Sequence, residues 1–297
     1  MKVISVPASL DYRTMEQLPL EMERLGEGKL LFDARHLRWI DPVGMIGLLS
    51  AGSAAFRRSG IRPELSLPES GEVPGYLARM GFEAAGREIF DGGWRLPGRS
   101  GRNSDVLLEI TPITKNQDVH DVVEHVQERA GAILSNTLHY PPTAVVQFSV
   151  ILSEVCQNIL EHAEAPGWVA AQSYRWTRRL GRQVLVIGVG DVGRGFYGSL
   201  TEEHSGRFAE RWGDATALEA AFLHGLTRFP DQGRGQGIQQ IRKQVRRWDG
   251  VIAIRSGTAR IADVPEWEDL PPLEDGLAPF PGSQITIILP AREEGSK

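Results

Sequence analysis

Three short segments bear side chains and backbone able to handle a charged, flat ligand. The first is Ser153-Glu154-Val155-Cys156-Gln157-Asn158-Ile159-Leu160-Glu161-His162, where Glu154, Asn158 and His162 recur every four residues. On a helix that spacing stacks all three on one face, a turn apart. A carboxylate there can activate water or a hydroxyl, and an amide oxygen can ligate Mg²⁺. The second is an apolar run from Val186 leading into Gly190-Asp191-Val192-Gly193-Arg194-Gly195. A carboxylate at a strand end can accept a hydrogen bond from an exocyclic amine such as adenine N6. The glycines let backbone approach a flat base. The third is Gly233-Arg234-Gly235-Gln236-Gly237, which opens a helix and so offers bare N–H groups to phosphate oxygens. Taken singly, each has a plainer reading: a solvated helix face, a tight turn, a flexible loop. The third is not a P-loop, because no Gly-Lys-Ser/Thr follows, nor a dinucleotide-binding turn, because no strand directly precedes it.

These segments need a frame to bring them together. Hydrophobic periodicity predicts helices over residues 117–134, 143–163 and 238–248. It predicts strands over 106–110, 168–174, 183–189, 251–256 and 284–289. Pro141-Pro142 sets the start of the second helix, where a missing N–H costs nothing. Residues 196–232 form a long stretch between the second and third segments, a candidate lid in which Trp212 and Phe222 either cover a ligand or pack. Upstream, strands over 3–7, 29–32 and 61–67 alternate with helices over 18–25, 43–57 and 73–80, the pattern of a small α/β unit. The expected boundaries are a domain at 1–90, a polar Gly/Arg-rich linker at 91–104, a second domain at 105–291 and a mobile tail at 292–297.

Composition narrows the class. With 33 basic and 38 acidic residues the net charge is -5, which argues against nucleic acid as the main partner. The single cysteine, Cys156, has no internal disulfide partner, and a cytoplasmic location is expected. It reads as a small core residue rather than a nucleophile. No signal peptide and no membrane span are expected. Arg242, Lys243, Arg246 and Arg247 form a basic helix face, read as solvated or as a phosphate or acidic-partner contact. His120-Asp121 has the form of a phosphoacceptor histidine and acid, without the expected Arg-Thr-Pro.

In order and spacing, the three segments resemble the ATP-binding domain of the gyrase, heat-shock chaperone, histidine kinase and mismatch-repair ATPase superfamily, over about residues 105–290. The Glu-x3-Asn-x3-His stripe looks most like the anti-sigma-factor serine kinases. The resemblance implies a Bergerat-type α/β sandwich, a mixed sheet with helices on one face. It implies ATP and Mg²⁺ as ligands, Glu154 as general base, Asn158 as Mg²⁺ ligand and His162 closing the stripe near the phosphates. Asp191 would accept from the base, flanked by Gly193 and Gly195. Gly233, Gly235 and Gly237 would hold the phosphates, and Ser283 would support Asp191.

Residues 31–49 (LFDARHLRWIDPVGMIGLL) resemble the core of STAS domains, such as the anti-sigma-factor antagonists. In those antagonists a serine just before the glycine is phosphorylated; here Val43 precedes Gly44 and offers no hydroxyl. Together the resemblances imply a regulator in which a STAS-like module meets a protein partner, or docks a second copy, beside a Mg-ATP-dependent ATPase or serine/threonine kinase. The alternatives are a non-catalytic ATP-binding and docking module and an ATP-driven dimeric clamp.

Overall fold

The chain is an α/β protein, described here from a computed structural model over residues 1–26, 28–98, 106–208, 211–227 and 237–292. At 106, 128, 130–132, 162, 207 and 208 the description is of the backbone alone. The N-terminal unit runs β1 (Lys2–Ser5), β2 (Ser9–Leu10), α1 (Gln17–Leu25), β3 (Leu30–Asp33), β4 (Trp39–Ile40), α2 (Pro42–Ser59), β5 (Glu64–Ser66), α3 (Glu72–Arg79) and α4 (Phe82–Ile89). β1, β3 and β5 form a parallel sheet, and β2 pairs with β4.

Helix α2 is the centre of this unit. Asp41 caps its start by accepting from the Gly44 N–H at 2.8 Å, and Pro42 occupies the first turn. Gly60, in the left-handed region at φ 68°, ends it by donating its N–H to Phe56 O. Every residue from Pro42 to Gly52 is buried, so the helix is enclosed rather than lying on a surface. Its glycines allow that: a Cβ at Gly44 would strike the Leu10 carbonyl, and one at Gly52 the Phe90 ring.

The second unit follows as β6 (Val106–Ile113), α5 (Asn116–Ala132), α6 (Thr143–Asn158), β7 (Gly167–Trp176), β8 (Arg182–Asp191), α7 (Gly195–Phe208), α8 (Asp214–His224), α9 (Gly237–Arg247), β9 (Val251–Gly257), β10 (Ala259–Asp263), β11 (Leu273–Glu274) and β12 (Phe280–Pro290). A π-helical turn extends both α5 (Ile133–Thr137) and α6 (Ile159–Ala163). The strands form one sheet in the order β11-β10-β9-β12-β8-β7-β6. All its pairings are antiparallel rather than mixed. Two helices between β6 and β7 return the chain in the opposite sense, and tight turns join β7 to β8 and β9 to β10.

The sheet is covered on both faces. Helices α5, α6 and α9 cover one, where Leu185, Ile187 and Val189 of β8 join Phe148, Leu152 and Val155 of α6 in a core. Helix α2 of the N-terminal unit covers the other, against β7, β8 and β12. There Gly188 lies against the Pro42 and Val43 backbone, and Gly190 against Ile46. Gln284 of β12 donates to Val43 O at 2.8 Å. Glu268, with a fully buried side chain, accepts from Tyr12 and Arg13 at 2.5 Å each and from Arg179, tying the two units together. Buried Arg255 adds an ion pair to Glu16 at 2.9 Å.

Several expectations need correction. The start of the expected linker belongs to the N-terminal unit: Asp91 exchanges backbone hydrogen bonds with Pro63 and Leu65, and Trp94 is buried against Phe82. Residues 99–104 of that linker lie outside the described residues. At the tail, Arg292 is anchored through its N–H to Leu138 O at 2.9 Å; 293–297 lie outside the described residues. Over its described residues the candidate lid consists of α7 and α8, packed on each other. Phe222 is buried in the core, and the Trp212 indole donates to Thr201 Oγ1 at 2.9 Å. Between the strands expected over 251–256 and 284–289 the structure adds β10 and β11, which periodicity did not predict. Residues 143–161 form a helix long and apolar enough to cross a membrane by composition; Phe148, Ile151, Leu152, Val155 and Ile159 pack in the core, while Val146 and Val150 are exposed.

Candidate functional site

A cavity of about 480 Å³ opens where α6, the end of β8, the start of α7, the start of α9 and β12 converge. Its lining includes Glu154, Asn158, Asp191, Gly195, Gly237 and Ser283, six of the residues singled out from sequence. The size suits a small organic ligand. Val155, Ile159, Val189, Phe196, Leu200 and Ile285 give it an apolar wall.

Helix α6 presents Glu154 and Asn158 because its opposite face, Ile151, Leu152 and Val155, is held in the core. Glu154 is exposed at the mouth. Its carboxylate lies against the start of α9, where a Cβ on Gly237 would come within 2.4 Å of Oε2. Asn158 lies deeper, and its Nδ2 is buried with no hydrogen-bond partner. A buried amide left unsatisfied is costly, so this atom is available to a ligand acceptor. A half-turn of the same amide presents its oxygen instead, as a cation would need. A π-helical turn follows Asn158. His162 lies in that turn, and its side chain is outside the described residues.

At the other end, Asp191 is buried at the C-terminus of β8. Burial raises its carboxyl pKa to about 6, opposed by backbone hydrogen bonds from Gly193 and Ser283 and by the nearby Arg57 charge. The Gly193 N–H reaches Asp191 Oδ1 at 2.8 Å. Both glycines expected beside Asp191 are required by close approach. A Cβ on Gly193 would strike Ala163 O, and one on Gly195, at φ 66°, would strike Ser256 Oγ. Ser256 Oγ accepts the Phe196 N–H at 3.0 Å and so fixes the start of α7.

Sequence reasoning passed over other lining residues. Gln157 and Glu161 are a turn apart on the same helix, joined at 3.1 Å. Their four-residue spacing was the available signal. Ser199 follows Gly195 by one turn of α7 and also lines the cavity. Gly233, Arg234 and Gly235 lie outside the described residues; Gly237 is described.

The remaining candidates fall away from the cavity. Cys156 is fully buried, and burial pushes its thiol up to about 12, so it is a core residue. His120 is exposed on α5. Arg242 pairs with Asp263 at 2.6 Å and lies over the Phe222 ring. Arg194 pairs with Glu164. Val43 is sealed beneath β8 and β12. Among the described residues, no group of three or more His, Cys, Asp or Glu side chains could hold a metal ion unaided. No family model, curated protein or solved structure matches this chain.

Proposed function

We propose that the cavity binds Mg-ATP and that the protein is a nucleotide-dependent switch of the superfamily its motifs resemble. The observation supporting this reading is convergence. Residues taken from segments far apart in sequence, Glu154 and Asn158, Asp191 and Gly195, Gly237, and Ser283, line one cavity. In this reading the ionised Asp191 accepts from the exocyclic amine of the base, which lies along Phe196, Ile159 and Ile285. Asn158, whose amide has a buried unpartnered atom, fits a phosphate oxygen as placed and a metal ion when turned over. Bound Mg²⁺ would neutralise phosphate charge, as in other phosphoryl transfers.

Glu154 is the general base, and its exposed position suits either water or a hydroxyl of a protein substrate. ATPase and serine/threonine kinase activity therefore share one arrangement. A second reading, ATP binding without turnover, is favoured by one observation: among the described residues, nothing hydrogen-bonds to Glu154 to orient it. The N-terminal unit, read as STAS-like, is docked in cis. Its Val43 edge faces the chain's own sheet, so a protein partner would use another of its surfaces.

A single-turnover reaction with γ-labelled Mg-ATP tests this, following free phosphate and labelled protein together. Label released by the wild type and retained by Glu154→Ala supports turnover with Glu154 as base. Label left in bound ATP supports a kinase lacking its substrate or the binding-only reading. No ATP binding at all excludes the proposal.

A further inference from the structure

Helix α2 does more than cover the back of the sheet. Val43 lies against Gly188, Ile46 and Ser50 lie beside Gly190, and Arg57 reaches past the end of β8. The helix thus runs along β8 toward the turn that ends it. Arg57 Nη1 donates to the carbonyl of Val192, between Asp191 and Gly193. This is a charge-assisted bond from the N-terminal unit to the turn that forms one end of the cavity. The Gly193 N–H on Asp191 Oδ1 at 2.8 Å and the Arg194 N–H on Ala163 O at 3.3 Å also hold the turn.

We propose that Arg57 is a positioning residue for the nucleotide site: by holding the Val192 carbonyl it fixes the turn bearing Asp191, so the N-terminal unit sets ligand affinity. This rests on the reading of the cavity as a nucleotide site. Arg57 does not line the cavity, so its effect passes through the turn. Its charge also favours the ionised form of Asp191, the form that accepts a hydrogen bond. The other charged groups near that turn are Glu154 and Glu161 on α6, across the cavity, and the Arg194–Glu164 pair beside it. Ser283 on β12 and Gly167 on β7 bring no charge.

The test compares full-length wild type, Arg57→Gln and Arg57→Lys by calorimetric titration with Mg-ATP, with thermal melts to check folding. In parallel, the Asp191 carboxyl is titrated by NMR in each ligand-free protein. The expected result is affinity weakened about tenfold in Arg57→Gln, the scale of one lost charged hydrogen bond. The Asp191 midpoint should move upward in the same variant, and Arg57→Lys should recover part of both. A folded Arg57→Gln protein with unchanged affinity and an unmoved midpoint overturns the proposal. Wild type that binds no nucleotide overturns the nucleotide reading and the affinity claim with it. The ligand-free titration then still decides whether the Arg57 charge reaches Asp191: an upward shift supports it, and none overturns it.

Discussion

Helices α2 and α6 lie on opposite faces of the same sheet, and both are rich in apolar residues. Helix α2 is buried on every side through Gly52, capped at both ends, and uses glycine where neighbours come closest. Helix α6 buries one face and turns Glu154, Gln157, Asn158 and Glu161 into a cavity, then relaxes into a π-helical turn. The strand between them repeats the contrast residue by residue. Gly188 and Gly190 of β8 make room for α2, while Val189 and Asp191 line the cavity, which the Gly190 backbone also reaches. Packing has fixed one face, and chemistry has been left to the other.

The comparison is sharpened most by Glu154→Ala. If Glu154 is the base, turnover should fall by roughly a hundredfold to ten-thousandfold with ATP affinity retained, read in single-turnover and binding assays. Asp191→Asn should weaken ATP binding by about tenfold to a hundredfold. It should not lower the melting temperature of the ligand-free protein at pH 7. The folded pKa is raised to about 6, so this group's stabilising contribution is full below about pH 4 and lost as pH rises through 6. A neutral Asn avoids that loss. Wild-type binding should weaken as pH falls through about 6, because the acceptor becomes protonated.

On the packed face, Gly188→Val should cost about 1–3 kcal/mol in a urea titration, since its Cβ would meet backbone of Pro42 and Val43 that cannot rotate away. A smaller effect is expected from Asp41→Ala, about 1 kcal/mol for a lost helix cap. Asp41 also gives α2 a pH signature. Burial, with Asp11 adding to it, pushes its carboxyl up to about 8 despite the Gly44 N–H. Its contribution is therefore full in acid and lost as pH rises through 8, so the melting temperature should fall over that range. Asp41→Asn should flatten the fall. If Gly188→Val and Asp41→Ala abolish ATP binding while leaving stability unchanged, the division between the two faces is wrong.

Much of the cavity was legible because its signals are local. Four-residue spacing puts Glu154 and Asn158 on one helical face whatever surrounds them, and an Asp after an apolar run marks a strand end. That residues 43–57 form an apolar helix could be read from their Gly, Ala and Leu content, and the structure encloses that helix through Gly52. What encloses it could not be read, because periodicity says which face is apolar and not which element covers it. One signal was present all the same: residues 184–190 (VLVIGVG) are apolar without alternation, the pattern of a strand buried on both faces. Only the tertiary structure decided that α2 supplies the second cover, that Glu268 seals the join, and that Arg57 meets the turn of Asp191. Those contacts link residues far apart in the chain, and their free energy exists only once the two units are docked.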